Sequence, residues 1–345
     1  MKTRFWAGIL FLMLPLQAWG QGHPGVDQQK VDLAIDKGIG YLTKSAPILD
    51  KHIPLVLYTF LHSGMTDTHP KYKEYLSKLL TLPLLKTYEV AIQAMFLAEY
   101  DGVTYQWRIA QCAQFLVDNQ LTNGQWDYGK ETHIPVNSRA FKPVKKKGKT
   151  KVRPRKIMIY PQNQRSGTGD NSNSQYAILG LRACIQSGVY PPKKTLDLSL
   201  RWWYQSQNRD GGWEYRTATQ NSYGSMTAGA IGCVVILDYY LKRNWKRDPR
   251  VKSAMIWMTK NVTVLKNPHK PQNRAYYYYM YALERAGILS GVKKFGTFDW
   301  YRKGANQLIK LQTTTGAWGS TSQTCFSILF LRRGTPGLPG VATGR

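Results

Sequence analysis

Metal-binding and redox motifs are missing from this chain. Its four cysteines, Cys112, Cys184, Cys233 and Cys325, are far apart and form no CxxC pair, which removes the zinc-ribbon and dithiol patterns. Each lies inside an apolar run (CAQFLV, LRACI, IGCVVIL, TCFSILFL), so they are expected to be buried small hydrophobes. The six histidines, His23, His52, His62, His69, His133 and His269, are scattered. A catalytic zinc needs three convergent protein ligands, so no metal and no cofactor is expected. Long apolar runs are lacking too. The longest one near the start, Phe5 to Leu16, spans 12 residues, short of the roughly 20 that cross a bilayer. No transmembrane span is expected in the mature chain, and no stretch reads as a substantial sheet.

Acidic residues are also few: 20 Asp and Glu stand against 48 Lys and Arg, a formal charge of +28. Such a field attracts polyanions, whether acidic glycan or an anionic surface, with no specific nucleic-acid partner implied. Part of the excess is local, because Lys142 to Lys156 holds nine Lys or Arg in 15 residues. Lys2 and Arg4 precede the first apolar run, and Ala18-Trp19-Gly20 supplies small residues after it. That order predicts a signal peptide over 1–20, cleaved after Gly20, and a secreted or periplasmic protein of formal charge +26 once Lys2 and Arg4 are removed.

With 43% hydrophobic residues the chain can bury a sizeable core, and a repeat organises it. Gln120-Gly124-Trp126, Gln207-Gly211-Trp213 and Gln312-Gly316-Trp318 are three copies of QxxxGxW. Each follows an amphipathic helical stretch and precedes a more uniformly apolar one, which predicts a two-helix unit closed by a glycine turn. Less regular copies are Val31–Ser45 with Ile53–Ser63, Lys71–Leu80 with Tyr88–Tyr100, and Val251–Val264 with Ala275–Gly287. Six pairs, amphipathic helix outside and apolar helix inside, predict an all-α (α/α)6 toroid over 21–333. A basic insertion at about 130–169 interrupts it, with a small hairpin expected through Lys156–Pro161, and 334–345 reads as a flexible Gly/Pro-rich tail.

QxxxGxW repeats on paired helices resemble those of the squalene and hopene cyclases, whose toroid also occurs in protein prenyltransferase β subunits and thioester-containing complement domains. The chain looks most like exported bacterial proteins with prenyltransferase and squalene-oxidase repeats. The resemblance implies a ligand in the axial cavity, an isoprenoid or other lipid. It also exposes departures. Class II cyclases carry DxDDT at the start of an inner helix, and their middle Asp protonates the substrate. Here Asp170-Asn171-Ser172-Asn173-Ser174 stands on that motif, so the acid's place is taken by Ser172. Ser225-Met226-Thr227-Ala228-Gly229 resembles a second cyclase segment, DCTAE, without its acids. The CGEQ thioester sequence is absent, as is the Cys that a prenyltransferase zinc site would place after Asp170.

Asp, Asn, Ser and Thr favour helix N-caps, but one cap needs one residue. The run Asp170, Asn171, Ser172, Asn173, Ser174 and Gln175 therefore marks a candidate ligand-binding mouth, together with Tyr223, Arg274 and Tyr276. Asp127, Asp210 and Glu214 sit in repeat turns and read as caps or partners of Arg. No catalytic residue is identified. Three functions stay open: a lipid-binding toroid without the cyclase acid, a lyase-like toroid acting on acidic polysaccharide with Tyr223 and Arg274 as partners, and a noncatalytic scaffold that docks through its basic loop.

Overall fold

A computed structural model describes residues 23–44, 48–131, 154–163, 165–219, 221–273 and 275–340. The predicted signal peptide, most of the basic insertion and Arg274 lie outside these residues. Twelve α-helices follow one another among them: α1 (Gln28–Lys44), α2 (Ile53–Ser63), α3 (Pro70–Thr81), α4 (Thr87–Asp101), α5 (Gln106–Asp118), α6 (Asn171–Gln186), α7 (Lys193–Gln205), α8 (Gly224–Tyr240), α9 (Pro249–Asn261), α10 (Tyr276–Ser290), α11 (Trp300–Leu311) and α12 (Thr321–Arg332). The even-numbered helices form a closed inner ring, α2 on α4, α4 on α6, α6 on α8, α8 on α10, α10 on α12 and α12 back on α2. The odd-numbered helices pack outside. The all-α toroid of six helix pairs is the observed fold.

Hydrophobic patterning explains which helix goes where. Outer helix α7 buries only Thr195, Leu196, Ser199, Leu200 and Trp203, a stripe at helical spacing. Inner helix α8 buries every residue from Gly224 to Asp238, so no face of it is left for water. The four cysteines are free and buried, and burial pushes the Cys112 and Cys325 thiols up to about 12, which leaves them unreactive.

The three QxxxGxW turns do the same job at three places. Each Trp ring is buried and its Nε1 donates to a carbonyl ten residues earlier: Trp126 to Leu116 at 2.6 Å, Trp213 to Trp203 at 2.9 Å, Trp318 to Leu308 at 2.8 Å. Each Trp amide donates to a hydroxyl near the start of the following inner helix, Ser174, Thr227 or Thr324. Each Gln Nε2 bridges its own turn and the next outer helix, reaching Thr195 O at 2.9 Å, Arg250 O at 2.9 Å and Ala34 O at 2.8 Å. The last of these joins α11 to α1 and closes the outer ring. Gly124, with φ of +91°, needs to be glycine twice over, since a Cβ would lie 2.2 Å from Leu198 O.

Two expectations differ from the structure. Ile157–Met158 (β1) pairs in parallel with Val189–Tyr190 (β2) and makes no hairpin within Lys156–Pro161. The apolar Ile159, 5% exposed, finds cover against the α6–α7 connection. A second short pair, Lys294–Phe295 (β3) with Phe298–Asp299 (β4), is antiparallel. The stretch 334–340, expected as part of a flexible tail, lies across the end of the ring where the inner helices finish. Glu284 accepts from Thr335 N and Oγ1 at 3.0 and 2.5 Å, and Arg182 Nη2 donates to Pro336 O and Gly337 O at 2.5 and 2.8 Å. Both charged residues are buried, and the tail's polar backbone supplies hydrogen bonds that apolar helices cannot.

The same end holds a carboxylate pair. Asp238 is buried at the end of α8, beside Asp248, which caps α9. Tyr204 Oη donates to both, and Arg243 Nε lies 3.0 Å from Asp238 Oδ1. Burial, and then the neighbouring Asp248, push the Asp238 carboxyl up from 3.8 to about 6. A raised value means the folded protein holds this proton more tightly than the unfolded chain. Its contribution is therefore complete below pH 3.8 and is lost as the pH rises through about 6. Asp238→Asn is expected to raise stability by roughly 1–3 kcal/mol at pH 7.5, at about 1.4 kcal/mol per pKa unit. Near pH 4.5 the gain shrinks, and thermal melts of both proteins across that range check it.

Candidate functional site

At the opposite end the inner helices begin, and their first turns meet. Asp170 is the N-cap of α6. Its Oδ1 accepts from Ser172 Oγ and Asn173 N, both at 2.8 Å, and its Oδ2 accepts from Asn173 Nδ2 at 2.8 Å. The carboxylate thus spends its hydrogen bonds within one turn. Asn171 is structural in its contacts, with Nδ2 on Glu214 O and Oδ1 taking Trp202 Nε1, both at 2.7 Å. Ser174 binds the Trp126 amide and Asp170 O. Asn173 is buried and its Oδ1 has no hydrogen-bond partner.

Ser172 and Gln175 face the other inner helices. The Ser172 hydroxyl engages those of Tyr88 and Tyr215. Gln175 Nε2 donates to Tyr278 Oη at 2.5 Å, and its Oε1 accepts from Arg285 Nη2 at 2.6 Å. Gly229 makes this possible. A Cβ there would meet the Gln175 amide at 2.5 Å. The Arg285 guanidinium, buried on α10, lies 4.2 Å from the Tyr281 ring centre and 5.1 Å from that of Tyr176. Tyr176 in turn stacks near Tyr88, with ring centres 4.3 Å apart, and Tyr278 meets Phe326 edge-on at 6.0 Å. Aromatic side chains from α4, α6, α10 and α12 therefore make a floor across the axis, with Gln175 and Arg285 as its polar centre.

Burial drives the Tyr88 and Tyr278 hydroxyls far above their ordinary range, so they are hydrogen-bond donors at neutral pH and poor bases. The Tyr223 hydroxyl is raised by burial and then by Tyr215, and Lys270 Nζ sits 4.1 Å above the Tyr223 ring. Tyr276 points away from this group, its hydroxyl donating to Val264 O at 2.6 Å. Asp127 pairs with Arg165 at 2.8 Å, Asp210 accepts from Gly212 N, Ser222 and Trp257, and Glu214 accepts from Thr219. No group of His, Cys, Asp and Glu suited to a metal occurs among the described residues.

Solved structures similar to the chain include two of a type II terpene cyclase. One is the apo type II terpene cyclase MstE from Scytonema, 12% identical, covering 84% of this chain and 82% of that chain at a TM-score of 0.47. The other is a variant of MstE in complex with its product, merosterolic acid A, 11% identical with the same coverages and a TM-score of 0.48. No protein-family model and no curated protein matches the chain.

Sequence reasoning missed Arg285 as a partner of Gln175, and did not single out Tyr278 from its tyrosine neighbours. A signal was available for Arg285, because Glu284-Arg285 is the only charged pair inside an otherwise uncharged inner helix, Tyr276–Ser290. The run Tyr276–Tyr279 stood out, but spacing alone does not say that Tyr278 is the one that meets Gln175.

Proposed function

We propose that the chain is a binding toroid for an apolar, isoprenoid-like molecule seated in the mouth where the inner helices begin, and that it does not protonate its ligand to start a cyclisation. The observation that carries this is the floor itself, where the half-buried Tyr88, Tyr278 and Phe326 rings are held beside the buried Tyr176, Gln175 and Arg285. Such a surface suits a molecule with an apolar body and a polar end. The isoprenoid class comes from the resemblance of the repeats. Against acid-initiated chemistry stands Ser172, whose hydroxyl donates to Asp170 and is far too weak an acid to protonate an alkene. A lyase reading with Tyr223 as its base loses support, because burial raises the Tyr223 hydroxyl. Export, read from the first twenty residues, places the binding event outside the cytoplasm in the same proposal.

Mass spectrometry of organic extracts of the purified protein tests it. Wild type is expected to carry a lipid in near-stoichiometric amount. Tyr278→Phe removes one hydroxyl and is expected to weaken retention about 3- to 10-fold, the worth of one hydrogen bond of roughly 0.5–1.5 kcal/mol. Asp170→Ala should instead cost about 0.5–2 kcal/mol of stability as a lost cap and leave the lipid content unchanged. An empty wild-type extract would sink the lipid reading.

A further inference from the structure

The turn from α8 into α9 concentrates positive charge. Leu241 to Lys252 holds Lys242, Arg243, Lys246, Arg247, Arg250 and Lys252, six cations in 12 residues, and all six are exposed. The one acid in this stretch, Asp248, is buried, as is Asp238 at the end of α8. Both acids act inward, Asp238 on Arg243 Nε at 3.0 Å and Asp248 as the α9 cap that accepts from Arg250 N at 2.7 Å. Several exposed lysines elsewhere are balanced by exposed acids, Lys71 by Glu74, Lys78 by Asp50 and Lys193 by Asp197. Of the six cations here, only Arg243 has an ion pair among the described residues. Aromatic rings hold four of them in place. Lys242 Nζ lies 5.8 Å from the Tyr239 ring centre and Lys246 Nζ 5.6 Å from that of Trp245, while the Arg243 and Arg250 guanidinium groups lie 5.5 and 5.4 Å from the Tyr204 ring centre. Tyr204 is fixed in turn by its hydroxyl, which donates to Asp238 and Asp248.

Stability alone would not choose this arrangement. Arg250 and Lys252 stand at the start of α9, where the helix dipole favours acids, and no acid occupies its first turn. Lys242 has a φ of +60° just after α8, a position where glycine or asparagine is at ease. We infer that the α8–α9 turn is a binding surface for an acidic polysaccharide, whose repeated carboxylates meet cations already fixed over rings. The Arg243 and Arg250 forks suit planar carboxylates, and side chains held in place beforehand lose less freedom when a flexible chain binds. The same rings argue against other polyanions. A nucleic acid stacks its bases on open ring faces, and here cations lie over the rings. A bilayer takes up apolar side chains, and no large hydrophobe from Leu241 to Lys252 is exposed. Tyr204, Tyr239 and Trp245 are half-buried, and the Tyr239 hydroxyl is tied to Pro339 O at 3.0 Å. This surface shares no residue with the mouth, so it stands apart from the lipid reading.

Fluorescence anisotropy with labelled polygalacturonate oligomers measures it. Wild type is expected to bind them and to release them as salt is raised, while neutral dextran does not compete. Lys242→Glu/Lys246→Glu/Arg247→Glu should bind about tenfold more weakly or worse. An equal change of charge across the ring, Lys51→Glu/Lys86→Glu/Lys310→Glu, should leave the affinity within about twofold of wild type. The first variant should melt no lower than wild type, because it removes cations beside the α9 N-terminus. The milder Lys242→Gln/Lys246→Gln/Arg247→Gln, expected to lose about threefold or more, decides the matter if the glutamate variant folds poorly. Equal losses in the two glutamate variants would show attraction to net charge alone and overturn the site, as would a wild type that ignores polygalacturonate. Tighter binding of wild type to duplex DNA, or to phosphatidylglycerol vesicles, at matched charge would overturn the choice of a glycan in favour of a nucleic acid or a membrane.

Discussion

Trp213→Ala is expected to lower the unfolding free energy by about 3–5 kcal/mol, a large part of the 5–15 kcal/mol that typical domains possess. The ring is fully buried and meets the Trp203 ring edge-on at 6.4 Å, while its Nε1 satisfies the Trp203 carbonyl in the last turn of α7. Truncation leaves a cavity and an unsatisfied carbonyl together. Gln207→Ala removes side-chain hydrogen bonds to Gly211 O and Arg250 O at the surface of the same turn, and should cost only about 1 kcal/mol. Calorimetry of both variants separates the parts of the repeat. A Trp213→Ala protein that melts within a degree or two of wild type would show that the QxxxGxW turn decorates the helix pair without holding it.

Arg285→Met is the second large effect, expected to cost about 3–5 kcal/mol, the range for removing one side of a buried charge arrangement. Gln175 Oε1 would lose its donor, and the buried Glu284 carboxylate would lose a neighbouring cation. Adding Glu284→Gln to Arg285→Met should recover part of that loss, because the interior then contains neither charge. Chemical denaturation of the two single variants and the double variant gives the coupling. Strict additivity would mean that Arg285 serves Gln175 and the tyrosine rings alone.

These two sites differ in how readily they were read. The QxxxGxW turns were visible because three copies recur at the end of amphipathic stretches, with Gln, Gly and Trp at one fixed spacing. Asp170 was likewise visible as a cap. Its neighbours were legible only as a polar run. Asn171 and Ser174 turn to the backbone of adjacent loops, while Ser172 and Gln175 turn to other inner helices, and that division comes from 100° per residue around α6 combined with where α4 and α10 lie.

By itself the sequence determined the local events: which stretches become helices, which of each pair is wet on one face, where turns close, and that no acid occupies the position of Ser172. These depend on residues within a few positions of one another, so their pattern survives in one dimension. Tertiary structure alone decided that Gln175 meets Tyr278 and Arg285, 103 and 110 residues away, and that 334–340 lies across one end. The physical reason is ring closure. Packing α12 against α2 fixes the rotation of every inner helix at once, and no segment carries that information alone.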